Sequence, residues 1–191
     1  MIEKIDILDG TLYHDKEFLP KPLADKLFDY LKANVKWTQV ATGWGVPLPR
    51  LTGYFADPGK DYSYSGLTQV AEPWNKTLLA LKERVERASG TDFNSLLLNY
   101  YRTGNDSIGW HSDNEKELVP NPIVASLTIG ATRNFELKHK AGVKVGRLTI
   151  PLEHGSLLVM GNTIQANWLH AVMKTKKEVG ERINLTFRKF K

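Results

Sequence analysis

Beyond Gly90 the chain is cut into short segments that alternate apolar and polar residues, with Gly, Pro, Asn and Asp between them. That pattern predicts strands over 95–102, 108–111, 123–129, 134–139, 147–150, 155–160 and 182–190. Short strands in such number must be buried by stacking or closing a sheet, because a lone sheet leaves a wet face and open edges. Two helices are predicted ahead of them. Over 22–34, Leu23, Leu27, Phe28 and Leu31 share one face behind Pro22; over 73–88, Leu78, Leu79, Leu81 and Val85 do so before a Gly90 stop. Residues 38–66 are rich in Gly, Pro, Ser and Tyr and read as loop. Helices first and strands after predict an α+β chain built as a sandwich or barrel, not a doubly wound parallel sheet.

The 191 residues suit a single domain. No run of about 18 or more apolar residues occurs, and the N-terminal residues mix charges among apolar positions, so neither a membrane span nor a signal peptide is expected. A cytoplasmic protein is expected, or a nuclear one in a eukaryote. Twenty-six Lys and Arg against 21 Asp and Glu leave a net charge of +5, which favours polyanionic partners without naming one. The chain has no cysteine, so a metal would have to be held by His, Asp or Glu.

His111-Ser112-Asp113 places an imidazole and a carboxylate two residues apart, on one face of an extended segment, and Trp168-Leu169-His170 supplies a second imidazole downstream. Two histidines and one carboxylate leave coordination positions open, as non-haem Fe(II) requires. Taken singly these residues are equally at home in a core or on a surface. In the last segment, Ile183, Leu185 and Phe187 alternate with Arg182, Asn184, Thr186 and Arg188. A solvated polar face is the ordinary reading of such a strand. At about 3.3 Å per residue the two arginine Cα atoms lie about 20 Å apart, so both would have to lean inward to serve one small ligand.

With Asn99-Tyr100-Tyr101 added, these segments occur between Pro49 and Lys189 in an order that resembles the AlkB family of Fe(II)/2-oxoglutarate-dependent dioxygenases, in its nucleic-acid-repair branch. The resemblance implies a double-stranded β-helix, or jelly roll. Residues 91–191 would form its catalytic core and residues 1–90 would supply supporting helices and a nucleotide-recognition lid. It further implies that His111, Asp113 and His170 ligate Fe(II), and that Asn99, Tyr101, Arg182, Asn184, Thr186 and Arg188 surround 2-oxoglutarate. Arg182 and Tyr101 would take the distal carboxylate; Arg188 and Asn99 would stand nearer the metal-chelating end.

With O2, this set implies demethylation of N-alkylated bases such as 1-methyladenine and 3-methylcytosine in DNA, and in RNA as well, by a monomer that releases formaldehyde and succinate. Tyr62 and Tyr64 resemble lid residues that stack on a flipped base, although alternate residues of an edge strand would look alike. Arg50 would reach phosphate or the lid, Asn114 and Glu115 would meet the base, and Arg133 would lie near substrate. Trp44 and Val46 are candidates for a duplex wedge. His14, His139 and His154 match no ligand position. Two alternatives stay open: a demethylase or hydroxylase of RNA or tRNA bases, and a non-catalytic nucleic-acid-binding jelly roll.

Overall fold

The computed structural model describes residues 2–41, 44–64, 67–142, 145–161 and 163–191, with the backbone alone described at 62–64 and 67–69. A hairpin of β1 (Glu3–Ile7) and β2 (Gly10–Asp15) precedes α1 (Lys21–Asn34). Next come β3 (Leu51–Ala56), the short pair β4 (Tyr62–Tyr64) and β5 (Leu67–Gln69), and α2 (Lys76–Ser89). The remainder runs β6 (Ser95–Tyr101), β7 (Ile108–His111), β8 (Val124–Gly130), β9 (Arg133–His139), β10 (Leu148–Leu152) and β11 (Leu157–Met160). The single-turn α3 (Ile164–Asn167), β12 (Trp168–Val172) and β13 (Arg182–Arg188) complete it.

Both long helices form close to where their apolar spacing predicts, but α2 starts at Lys76 and not at 73, and Leu23 and Leu79 are exposed at the margins of the apolar faces. α1 opens on Pro22 and buries Ala24, Leu27 and Leu31. α2 is capped by Asn75, whose side chain accepts from the Leu78 amide, and stops at Gly90, which adopts the left-handed conformation (φ 65°) that a side chain resists. A seven-stranded sheet in the order β1-β2-β11-β8-β13-β6-β3 faces a four-stranded sheet in the order β10-β9-β12-β7. The strand pairs in both are antiparallel. Leu27, Leu31, Leu78 and Val85 pack with Leu96, Leu98, Leu185 and Phe187, so the helices cover the outer face of the larger sheet. Its inner face meets the smaller sheet through Leu12, Val124 and Leu158 against Phe135, Leu137 and Trp168. The architecture is the jelly roll with outer helices that the family resemblance implies.

The order of elements departs from expectation. Helices do not simply precede strands, because β1, β2 and β3 come from the first 90 residues and all join the larger sheet. A boundary at residue 90 therefore cuts through that sheet. β1 lies at the sheet edge, where Glu3, Lys4 and Asp6 are tolerated and blur the alternation. β3 is hidden by Gly53, a weak strand former. That glycine is required by close packing: a Cβ there would fall 2.6 Å from Val35 Cγ1. Among the described residues, no helix is long and apolar enough to cross a membrane.

Candidate functional site

β7 is the edge strand of the smaller sheet, and β12 beside it sets His170 opposite His111 in antiparallel register. The two rings meet edge-on with centroids 4.3 Å apart. Asp113, just past the end of β7, completes a group whose ligand-capable atoms all lie within 4.8 Å of one another. His111 Nδ1 is 2.8 Å from the Gly109 carbonyl, and donation to that oxygen leaves Nε2 with its lone pair. Phe135 stacks on the His170 ring at 5.1 Å.

Asp113 and His170 are buried, and His111 is partly exposed. Asp113 Oδ1 accepts from Arg188 Nη2 at 2.9 Å, whereas the buried Oδ2 and His170 Nδ1 find no hydrogen-bond partner among the described residues. Such atoms are costly to leave unmet. Burial resists ionisation of Asp113, but the Arg188 guanidinium, with the two imidazoles beside it, outweighs it and holds the carboxyl well below the usual carboxylate range. Burial, and then the neighbouring His111 imidazole, pushes the His170 imidazole down to about 3, with Asp113 only partly opposing. The pair thus stands as carboxylate and neutral imidazole, the forms a metal needs. Two imidazoles and one carboxylate with open positions fit Fe(II).

The polar face of β13 does not meet solvent. Every residue of the strand is buried, and Arg182, Asn184, Thr186 and Arg188 line the same cleft as the metal group. The cleft encloses about 430 Å3 of atom-free space, its mouth included. Arg182 is 0% exposed; its Nη2 donates to Thr128 Oγ1 at 2.8 Å, while Nε and Nη1 find no hydrogen-bond partner among the described residues. Burial pushes this guanidinium down to about 10, so it remains charged at neutral pH. Tyr101, its register partner on β6, holds its ring 5.0 Å away. No carboxylate among the described residues pairs with Arg182, so a buried cation faces the cleft awaiting an anion.

Asn99 accepts from Arg50 Nε at 2.6 Å and therefore offers its NH2 as a donor. Asn184 bonds Ser126 Oγ and the Leu127 carbonyl, and accepts from Thr186 Oγ1, so these two line the wall as a fixed pair.

Arg50, the expected phosphate or lid contact, is 7% exposed and donates to Asn99 Oδ1 and the Ser107 carbonyl. Arg133 is likewise buried, donating to the carbonyls of Thr103, Asp106 and Met173, and acts as an anchor between loops. Asn114 is exposed and Glu115 half-buried, directly after Asp113. Tyr62 and Tyr64 lie on β4, with side chains outside the described residues. Trp44 is 94% exposed and Val46 is exposed, in a loop closed by an Ala41–Pro47 bridge.

The sequence reading missed Ser126, Phe135, Met160 and Gln165. Ser126 and Thr128 alternate with Ala125, Leu127 and Ile129, a pattern that could have assigned them to the cleft face. Nothing in the sequence marks Gln165, whose side chain reaches the Asp113 backbone.

A family model described as the 2OG-Fe(II) oxygenase superfamily matches residues 11–188. The chain is 42% identical over 176 residues to the "Alpha-ketoglutarate-dependent dioxygenase alkB homolog 3" of Bos taurus, covering 86% of this chain and 61% of that protein. It is 36% identical over 182 residues to the "DNA oxidative demethylase ALKBH2" of Homo sapiens, covering 88% and 69%. A solved chain described as "The structure of OsALKBH1" superposes with a TM-score of 0.70 at 18% identity, covering 98% of this chain and 100% of that one, a likeness of fold. The chain thus spans less than two thirds of the length of its alkB homolog 3 relatives.

Proposed function

Because the chain belongs to the AlkB-like 2OG-Fe(II) oxygenase superfamily, we propose that it oxidatively demethylates N-alkylated bases, 1-methyladenine and 3-methylcytosine among them, in DNA and also in RNA. One observation carries this reading: a single buried cleft holds the His111–Asp113–His170 group and, at the other end of β13, the anion-seeking Arg182. Fe(II) with 2-oxoglutarate and O2, when bound, supplies the oxidation of an N-methyl group, yielding succinate, CO2 and formaldehyde.

The protein's own residues hold and orient these groups. His111, Asp113 and His170 take the metal; Arg188 keeps Asp113 ionised and fixes its rotamer through the 2.9 Å bond. Arg182, steadied by Thr128 and Tyr101, takes the distal carboxylate through paired, charge-assisted donors. Arg50 turns the Asn99 amide so that its NH2 serves the other end of the keto acid. A methylated ring nitrogen is inaccessible inside a duplex, so the base enters from a single strand or by flipping. Tyr62 and Tyr64 on β4, with Asn114 and Glu115, are the residues we assign to it. The protein acts as a monomer in the cytoplasm, or in the nucleus of a eukaryote.

The test is incubation with Fe(II), 2-oxoglutarate and ascorbate against single- and double-stranded methylated DNA and RNA, following oligonucleotide mass and formaldehyde. Loss of the methyl group with stoichiometric formaldehyde is expected, and His111→Ala or Asp113→Ala abolishes it. Binding of methylated strands with no turnover on any of them would overturn the enzymatic reading in favour of a binding module.

A further inference from the structure

We infer that Gln165 is a positioning residue for the metal group, holding the backbone of Asp113 so that its carboxylate stands ready before any metal arrives. The inference rests on the reading of His111, Asp113 and His170 as metal ligands. Asp113 follows β7 and is not itself part of a strand, so no ladder fixes its backbone. Its amide instead donates to Gln165 Oε1 at 2.9 Å, a buried bond spanning 52 positions in sequence.

Gln165 is 2% exposed and held from three sides. It lies on α3, whose last residue precedes β12, the strand that bears His170. Its Nε2 points to Met160 Sδ at 3.4 Å, at the end of β11 in the larger sheet. Its carbonyl accepts from Lys140 Nζ at 2.7 Å, beside the end of β9. The residue therefore ties the Asp113 loop to the segment that delivers His170, to the larger sheet through its side chain and to the end of β9 through its backbone carbonyl. Arg188 fixes one carboxylate oxygen of Asp113 and Gln165 fixes the backbone behind it. Rotation of the Asp113 side chain would break the first bond, and displacement of its backbone the second. Partners that orient ligands from behind in this way typically govern metal affinity by about 10–100-fold.

Gln165→Met keeps the length and volume of the side chain and removes the acceptor; the Lys140 bond to the backbone carbonyl survives it. Mn(II) binding to the metal-free protein, followed by electron paramagnetic resonance, should weaken about tenfold, with a broadened bound-metal spectrum. In the wild-type protein the Asp113 amide should exchange with deuterium slowly, and in Gln165→Met quickly. An unchanged Mn(II) affinity and spectrum, or a fast-exchanging Asp113 amide in the wild type, would overturn the assignment; the second observation decides it even if the variant does not fold. Failure of the wild-type protein to bind Mn(II) at all would instead remove the three-ligand reading beneath it.

Discussion

Arg182 and His170 are each costly to bury, and their costs run in opposite directions. Arg182 keeps its charge because a guanidinium has so high an intrinsic pKa that burial cannot neutralise it. The forked donors it aims into the cleft suit a carboxylate, and a lysine would keep the charge but lose the fork. Arg182→Lys should therefore raise the KM for 2-oxoglutarate about tenfold or more while leaving the KM for the oligonucleotide unchanged. Equal shifts in both would reject the assignment.

His170 avoids the cost by staying neutral. Its imidazole is pushed down to about 3 in the folded protein, against 6.5 for the free side chain, so acid favours the unfolded chain, which binds the proton. Stability is lost as pH falls below 6.5 and the loss grows toward 3. His14, also lowered by burial, adds in the same direction; Asp113, lowered too, adds only below its ordinary carboxylate range. The metal-free protein should lose about 1–2 kcal/mol between pH 6.5 and 5 for His170 alone. Urea titrations at both pH values should show His170→Gln flattening that slope.

The metal triad was visible as an H-x-D triplet and a distal histidine. Gln165 was not, because its role comes from a contact across 52 positions.

Among the elements, β13 was the most legible and the most misleading. Its alternation correctly separates Arg182, Asn184, Thr186 and Arg188 from Ile183, Leu185 and Phe187, yet a strand pattern cannot say what lies above each face. Here the smaller sheet roofs the polar face, and what looks like a solvated strand becomes the wall of a cleft. β3 was invisible for the opposite reason, since Gly53 trades strand propensity for contact with Val35. Gly53→Ala should cost about 1–3 kcal/mol, read as a shift in the denaturation midpoint, because the valine side chain is stiff at χ1 and cannot turn aside cheaply. Activity per folded molecule should stay as it was.

The loop from Ala41 to Pro47 invites another prediction. Leu48 N donates to the Val40 carbonyl at 2.8 Å, which closes the base of the loop and leaves Trp44 standing in solvent. A lone, fully exposed tryptophan suits stacking on or between bases, since unstacked bases gain about 1–3 kcal/mol from an aromatic face. Trp44→Ala should lower turnover of double-stranded methylated DNA at least fivefold and leave single-stranded substrates nearly untouched. A matched loss on both would dismiss a wedge.

At the scale of the whole molecule, the sheets that frame the cleft are not built from the C-terminal half of the chain alone. The N-terminal hairpin completes the larger sheet through pairing of β2 with β11, and its turn grips the approach to His170. The Trp168 indole donates to the Leu8 carbonyl at 2.8 Å and the Asn167 amide to the Asp9 carbonyl at 3.1 Å. A sequence window cannot disclose such long closures; family resemblance can, because it carries the topology with it.

The sealed positive charge of Arg182 reaches beyond the reaction. A small diacid that neutralises it acts as a folding ligand, worth about 2.7 kcal/mol at a hundredfold excess over its Kd. The melting temperature should climb by several degrees with 2-oxoglutarate and Mn(II), and much less in Arg182→Lys, as differential scanning fluorimetry can read. Limited proteolysis should tell the same story, the diacid-loaded protein being cut more slowly than the empty one.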